Sequence, residues 1–423
     1  MIHIFIPALI IYYLVVKQNT HPWVIMIFQI LYLSSLHLYK QIYHYLEYST
    51  YITGASMLLT MKVTKFAWDV YDYRLKGPEQ AKFIQKNMIS KVPTLFEYLS
   101  YILHYNTVLV GPPAGLKRYF DHLEGKLITN AGREKGDVEK IYTNKKRNKI
   151  AYGYLIKCTV CLILFTVGNK RFNDDFLVSD FIMSKPLIIR IFLVRFAGIL
   201  IRFKYYFAML ITFGSNIITG LTFNGVTEDG EYKWDALSMV HPLKVELSQS
   251  AFELSKNWNI QTGQWLHEYV YLRLMNSKTK SLNNRNVATA ITFFTSAIFH
   301  GFYPGYYLCF TLATIVVLAG RLIRKHIRPI FIDQKTNKPI MPVKKYYDWV
   351  CYCVMFPTMD SVGLPLVLMS YARNKIFFKN FVYLPFFGGL LTILILSRFK
   401  NKNKKIIQKP KEIASKNTIK KHQ

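Results

Sequence analysis

The sequence predicts an all-α fold: a polytopic membrane helix bundle of about 9–11 membrane helices, some re-entrant or tilted, enclosing a tunnel. Three observations carry this. Of the 423 residues 51% are hydrophobic, and they gather into long runs; a soluble chain of this length would be more polar and would divide into domains. The 55 Lys and Arg against 24 Asp and Glu leave a net charge of +31, and the basic residues lie between the apolar runs. That placement fits cytosol-facing loops of a membrane protein and excludes the nucleic-acid partner that so basic a soluble chain would suggest. Finally, a histidine followed by helix breakers sits between two apolar runs, at Phe299-His300-Gly301 and Pro304-Gly305.

Apolar runs mark candidate spans at 1–16, 22–39, 50–68, 96–110, 150–168, 187–201, 205–221, 286–300, 305–322, 346–370 and 376–397. Several are shorter than the ~20 residues that a straight crossing needs. The run at 96–110 is the weakest, because Glu97, His104 and Asn106 interrupt it. The opening run lacks a basic start and an A-x-A-like cleavage site, so it reads as a retained helix rather than a signal peptide.

Residues 1–398 therefore form the membrane domain, and 399–423 a Lys-rich tail with Pro410 that is expected to be disordered. Basic stretches lie at 126–149, 271–285, 321–345 and 398–423. The third and the tail are separated by two candidate spans, which puts both on one side, the cytosolic one. The chain ends Lys420-Lys421-His422-Gln423, and a dilysine there resembles the retrieval signal of endoplasmic reticulum membrane proteins. Five cysteines are too few and too odd for a disulfide framework. Cys158, Cys161, Cys309, Cys351 and Cys353 read as membrane-buried thiols, no metal site is expected, and the adjacent His267 and Glu268 read as surface residues.

Two segments carry chemistry. In Ser296-Ala297-Ile298-Phe299-His300-Gly301-Phe302-Tyr303-Pro304-Gly305-Tyr306-Tyr307 an apolar helix runs into an ionisable group and then breaks. Such a group at membrane depth points to function, and irregular backbone there is tolerated only inside protein or around a cavity. An imidazole, with an ordinary pKa of about 6.5, suits a general base, although a lone histidine is more commonly structural. The second segment, Asn257-Trp258-Asn259-Ile260-Gln261-Thr262-Gly263-Gln264-Trp265-Leu266, reads as one amphipathic helix capped by Asn257, with Trp258, Thr262, Trp265, Tyr269 and Leu272 on a stripe. A cap does not account for the second asparagine; an amide donor beside a reacting carbonyl would.

These two strings resemble the lysophospholipid acyltransferase branch of the membrane-bound O-acyltransferase (MBOAT) family. The likeness runs from about residue 30 to 370 and takes in Leu95–Tyr101 leading to Gly111-Pro112, Lys204–Ala208, Trp234-Asp235 and Glu246. It implies an acyl-CoA-dependent O-acyltransferase that re-esterifies the free glycerol hydroxyl of a lysophospholipid in phospholipid remodelling. Lysophosphatidylethanolamine or lysophosphatidylserine is preferred over lysophosphatidylcholine, and no cofactor is needed beyond the co-substrate acyl-CoA. His300 and Asn259 match the branch's two catalytic positions, as general base and hydrogen-bond donor. Trp258, Trp265, Tyr306 and Tyr307 are candidate tunnel walls, and Glu246, Thr262 and Ser296 candidate substrate contacts. Arg273 and the 321–328 cluster are candidates for the CoA phosphates, where ordinary loop charge is the simpler account.

The chain departs from the branch at Gly115–Tyr119, at Tyr51 and Ala55, and at Phe299, where a Trp is usual; it also begins later than its relatives. Two alternatives remain: an MBOAT enzyme with a sterol, diacylglycerol or protein acceptor, or a non-enzymatic lipid transporter. The sterol and diacylglycerol branches carry Phe-Tyr-x-Asp-Trp-Trp-Asn, whereas the asparagine here follows Ser255-Lys256-Asn257-Trp258.

Overall fold

A computed structural model describes residues 2–47, 52–75, 81–131, 141, 143, 145–333, 335–380 and 383–399. Tyr51, residues 132–140, 142 and 144 of the basic stretch at 126–149, and the tail beyond Phe399 with its dilysine lie outside the described residues. The described chain is helical, with two isolated bridges, Val226 to Tyr232 and Ile332 to Pro339. The principal helices are α1 (Ile2–Val16), α2 (Pro22–Tyr43), α3 (Thr53–Leu75), α4 (Leu95–Ile102), α5 (Lys145–Asn169), α6 (Leu187–Thr219), α7 (Ala251–Asn257), α8 (Ile260–Leu266), α9 (Arg285–His300), α10 (Pro304–His326), α11 (Val343–Leu368), α12 (Tyr371–Asn380) and α13 (Leu384–Ser397).

Two span assignments change. The runs at 187–201 and 205–221 are one helix, α6. Arg202 and Lys204 interrupt the apolar run but not the backbone, since no Gly or Pro lies between them. At 33 residues α6 is about 50 Å long, more than the ~30 Å hydrocarbon core. It stops at Gly220, whose φ of 83° supplies the left-handed C-terminal residue that glycine favours. The weak run at 96–110 holds only the eight-residue α4, too short to cross. Glu97 is not a flaw in a span but the third residue of a capping box with Thr94.

Four described helices are long and apolar enough to cross a membrane: α2, α5, α10 and α11; α1 and the segment Pro385–Ser397 are apolar but shorter. The long helices α3 and α6 are not among these four, because they carry inward-facing charges. On α5 the residues Tyr152, Ile156, Ile163 and Val167 are exposed, an apolar outer face of the kind that lipid covers. Cys158, Cys161 and Cys309 are buried as expected, whereas Cys353 on α11 is exposed.

The innermost helix is α3. Val63, Phe66 and Ala67 pack against α1 and Tyr98 of α4, while Leu58, Met61 and Trp68 join the cluster of Trp265 and Phe299. Its charges at 62, 65, 69 and 72 follow helical spacing, and each has a partner. Lys62 Nζ donates to Tyr101 O (2.9 Å), Ile102 O (3.0 Å) and Thr107 Oγ1 (2.7 Å), and Lys65 Nζ to Pro113 O (2.6 Å). Asp69 accepts from Tyr269 OH (2.9 Å). Asp72 takes both terminal nitrogens of Arg273, whose guanidinium lies 4.0 Å from the centre of the Trp68 ring. A buried charge that loses its partner is costly, about 3–5 kcal/mol. Arg273→Ala is therefore expected to destabilise the bundle by about that amount. Thermal unfolding of the purified protein in detergent checks this, and an unchanged midpoint would contradict the buried pair.

Candidate active site

His300 is the last residue of α9, which Asn284 caps at its start by accepting from Asn286 N and Val287 N. Gly301 ends the helix with φ of 116°, a backbone open in practice to glycine alone. Pro304 then occupies the first turn of α10, where its missing N–H costs nothing. Gly305 is required for another reason. Its N–H donates to Met369 O (2.8 Å), and a Cβ there would collide with Pro365 O. The His300 ring lies 5.3 Å from Phe310, near parallel, and 5.9 Å from Tyr306. The residue is half-buried, while Ser296 one turn earlier is buried. Tyr307, named with Tyr306 as a tunnel wall, packs 6.2 Å from Phe294, itself exposed.

The asparagine segment is not one helix. α7 ends at Asn257, Trp258 is extended, and Asn259 is left-handed (φ 41°, ψ 55°) before α8 begins at Ile260. Asparagine tolerates this conformation better than most residues. The anticipated stripe starting at Trp258 is therefore broken. Asn257 is not the cap either; its Nδ2 donates to Glu253 O (2.8 Å), and Ser250 caps α7. The turn is pinned on both sides, by His241 N to Asn257 O (3.0 Å) and Ile260 N to Met239 O (2.8 Å). Gln261, buried, donates to Ser238 O (3.2 Å) in the loop that follows Trp234-Asp235. Thr262 is half-buried.

The two segments meet through Trp265. Its indole is fully buried, its Nε1 donates to Thr64 Oγ1 (3.0 Å), and its ring lies 5.2 Å from that of Phe299, the neighbour of His300. Asn259 lies six residues before Trp265, a helical rise of about 9 Å. Trp258 packs edge-on against Tyr205 (5.9 Å) and Tyr206 (5.8 Å) of α6.

Glu246, a candidate substrate contact, is engaged otherwise. It accepts from Arg202 Nε (2.7 Å) and Nη2 (2.8 Å), Tyr206 OH (2.5 Å) and Arg195 (2.8 Å). Asp360 of α11 completes the cluster by pairing with Arg195 (3.2 Å) and Arg202. Gly198 makes room, since a Cβ there would meet Asp360 Oδ1. Two cations and two carboxylates thus neutralise one another where α6, α11 and the turn Pro242–Glu246 join, and Tyr206 links them to Trp258. Sequence reasoning missed Arg195, Arg202 and Asp360. The available signal was the seven-residue spacing of the arginines, two turns on one face, which emerges only when α6 is read as one helix.

Arg273, a candidate for CoA phosphates, is likewise committed, to Asp72. Glu268 is not a surface residue. It is buried in a π-helical turn (His267–Tyr271) and accepts from Asn87 Nδ2 (3.0 Å) and Gln264 Nε2 (2.9 Å). The 321–328 cluster behaves differently. Arg324 and Arg328, with Lys244, Lys256 and Lys344, line a cavity of about 1400 Å³ between α7, α10, α11 and α13. Glu253 and Asp348 are its acidic members, Val316, Ala319, Val354 and Met355 are among its apolar ones, and Asn257 belongs to the same lining. Neither Asn259 nor His300 lines it.

The sequence profile of the membrane-bound O-acyltransferase family matches residues 37–359, from α2 through α11. The chain is 30% identical over 374 residues to Lysophospholipid acyltransferase 6 of Drosophila melanogaster, covering 87% of this chain and 50% of that protein. It is 30% identical over 373 residues to Membrane-bound glycerophospholipid O-acyltransferase 2 of Homo sapiens (86% and 68%). With the Lysophospholipid acyltransferase of Schizosaccharomyces pombe it shares 27% over 393 residues (91% and 75%). The chain thus spans half the length of the fly protein and about two thirds to three quarters of the other two. With the family profile extending across both the Asn259 and the His300 turns, the chain belongs to the membrane-bound O-acyltransferase family and is a multi-pass membrane protein.

Proposed function

We propose that the chain is an acyl-CoA-dependent lysophospholipid O-acyltransferase of the endoplasmic reticulum membrane, with lysophosphatidylethanolamine or lysophosphatidylserine as preferred acceptor. The observation that carries this is the Trp265–Phe299 ring contact, which joins the segment of Asn259 to the segment of His300 inside an apolar bundle, each segment with a backbone irregularity at that residue or just beyond it. Relatives named lysophospholipid acyltransferases support the acceptor class.

The acceptor hydroxyl is a poor nucleophile at neutral pH. His300 takes its proton as the oxygen attacks the thioester carbonyl. The C–S bond then breaks, the CoA thiolate leaves, and the proton passes from the imidazolium to that sulfur, giving phospholipid and free CoA. Asn259 donates a hydrogen bond, either to the developing oxyanion or to the acceptor oxygen. Transfer is direct, without an acyl-enzyme. The cavity behind Asn257 suits the donor: its guanidinium and ammonium groups match phosphates, and its apolar wall matches the pantetheine and acyl portions. Partner lipids are the lysophospholipid and the surrounding bilayer.

His300→Ala is expected to lower kcat by about 10²- to 10⁴-fold, and Asn259→Ala by about 10²- to 10³-fold. Purified protein supplied with oleoyl-CoA and a panel of lysophospholipids checks both. Phospholipid made at the wild-type rate by His300→Ala would remove the general base, and no product from any acceptor would favour a transporter. Reversing charge at the cavity, with Arg324→Glu and Arg328→Glu together, is expected to raise the acyl-CoA KM by about tenfold or more at unchanged kcat; an unchanged KM would move the donor elsewhere. Glu246→Ala leaves two arginines facing one carboxylate. Its expected effect is a loss of about 3–5 kcal/mol of stability, seen as a lower unfolding midpoint, and an unchanged midpoint with a raised acceptor KM would return Glu246 to the substrate.

A further inference from the structure

We infer that His37 of α2 is a positioning residue for His300, holding the end of α9 on which that imidazole stands; the inference rests on the proposal that His300 is the reacting base. Nε2 of His37 lies 3.1 Å from the carbonyl oxygen of Phe299. A carbonyl only accepts, so Nε2 carries the hydrogen and Nδ1 the lone pair. The last carbonyls of a helix have no intrahelical donor, and in an apolar bundle water cannot replace one. His37 supplies that donor one residue before His300.

The fit is close. A Cβ on Gly301 would stand 3.1 Å from both Cγ and Nδ1 of His37, so the ring lies close against the backbone just past His300. A second contact comes from the same helix end. Leu46 N donates to Tyr303 OH (2.9 Å), and the Tyr45 and Tyr303 rings are 5.5 Å apart. The last turns of α2 and the residues just after it therefore hold the His300 turn at Phe299, just before His300, and at Tyr303, just after it. Helix ends fray, and a terminal side chain shares that motion. An error of about 1 Å in a reacting group can cost about 10²-fold in rate.

The test compares His37→Gln, whose side-chain amide can donate from a similar reach, with His37→Phe, which fills the space without a donor. The assay is acyl transfer from oleoyl-CoA to a lysophospholipid. His37→Phe is expected to lower kcat by about 10- to 100-fold with both KM values within about twofold, and His37→Gln to stay within about threefold of wild type. If His37→Phe is not recovered folded by size exclusion, His37→Asn, whose donor is too short to reach, takes its place. Wild-type kcat in His37→Phe or His37→Asn, or a His37→Gln variant as slow as His37→Phe, would overturn the inference. His300→Ala run in parallel separates the two claims. If it is active, the reading of the site fails; if it is dead while His37→Phe is fully active, only the role of His37 fails.

Discussion

A helix that stops inside an apolar bundle leaves carbonyl and amide groups bare, and this chain stops several there. The structure meets the requirement by setting broken ends against one another. α9 ends at His300 and α10 restarts at Pro304; α11 ends at Leu368, and Met369 takes a φ of 55°. The two breaks are joined where Gly305 N donates to Met369 O, and Asn374 Nδ2 donates to Ser370 O (2.9 Å). From the opposite side His37 satisfies the Phe299 carbonyl. The glycines at 301 and 305 follow directly: Gly301 takes a φ of 116° against the His37 ring, and a Cβ on Gly305 would push apart two stretches of backbone that must touch. A rigid non-helical turn carrying an imidazole is the product of this stitching.

Charge is handled by the same logic. Arg195, Arg202, Glu246 and Asp360 form a neutral group, and Asp72 with Arg273 forms a second. Neither can be dissolved one member at a time without stranding an ion. Each group also lies beside a tryptophan of the Asn259 segment or its neighbours. Tyr206 connects the first to Trp258, and Trp68 under Arg273 shares a core with Trp265. The charges thus brace the aromatic frame around the candidate site, while Arg324, Arg328, Lys244, Lys256 and Lys344 line the neighbouring cavity.

What the sequence made legible depended on whether a feature leaves a mark in residue type. The break after His300 was readable because Gly301, Pro304 and Gly305 cannot continue a helix. The turn at Asn259 was not, because a left-handed asparagine looks like any polar helical residue in a periodic pattern. α6 was read as two spans because Arg202 and Lys204 dilute the apolar run, although a paired arginine need not interrupt a helix. Glu97 was taken as damage to a span when its carboxylate opens a short helix. Glu246 and Arg273 were offered to substrate because their partners, 44 residues away at Arg202 and 201 residues away at Asp72, are brought close only by folding.

Asn259 and His300 are proposed to face one reaction centre, where the acceptor hydroxyl meets the thioester carbonyl. The most direct measurement is an experimental structure with a non-hydrolysable thioether analogue of oleoyl-CoA bound. The account predicts the atoms that replace the thioester between the two side chains, with the imidazole and the carboxamide both within about 2.6–3.2 Å of the reacting positions or one water away. An analogue seated with its sulfur remote from both residues would contradict it.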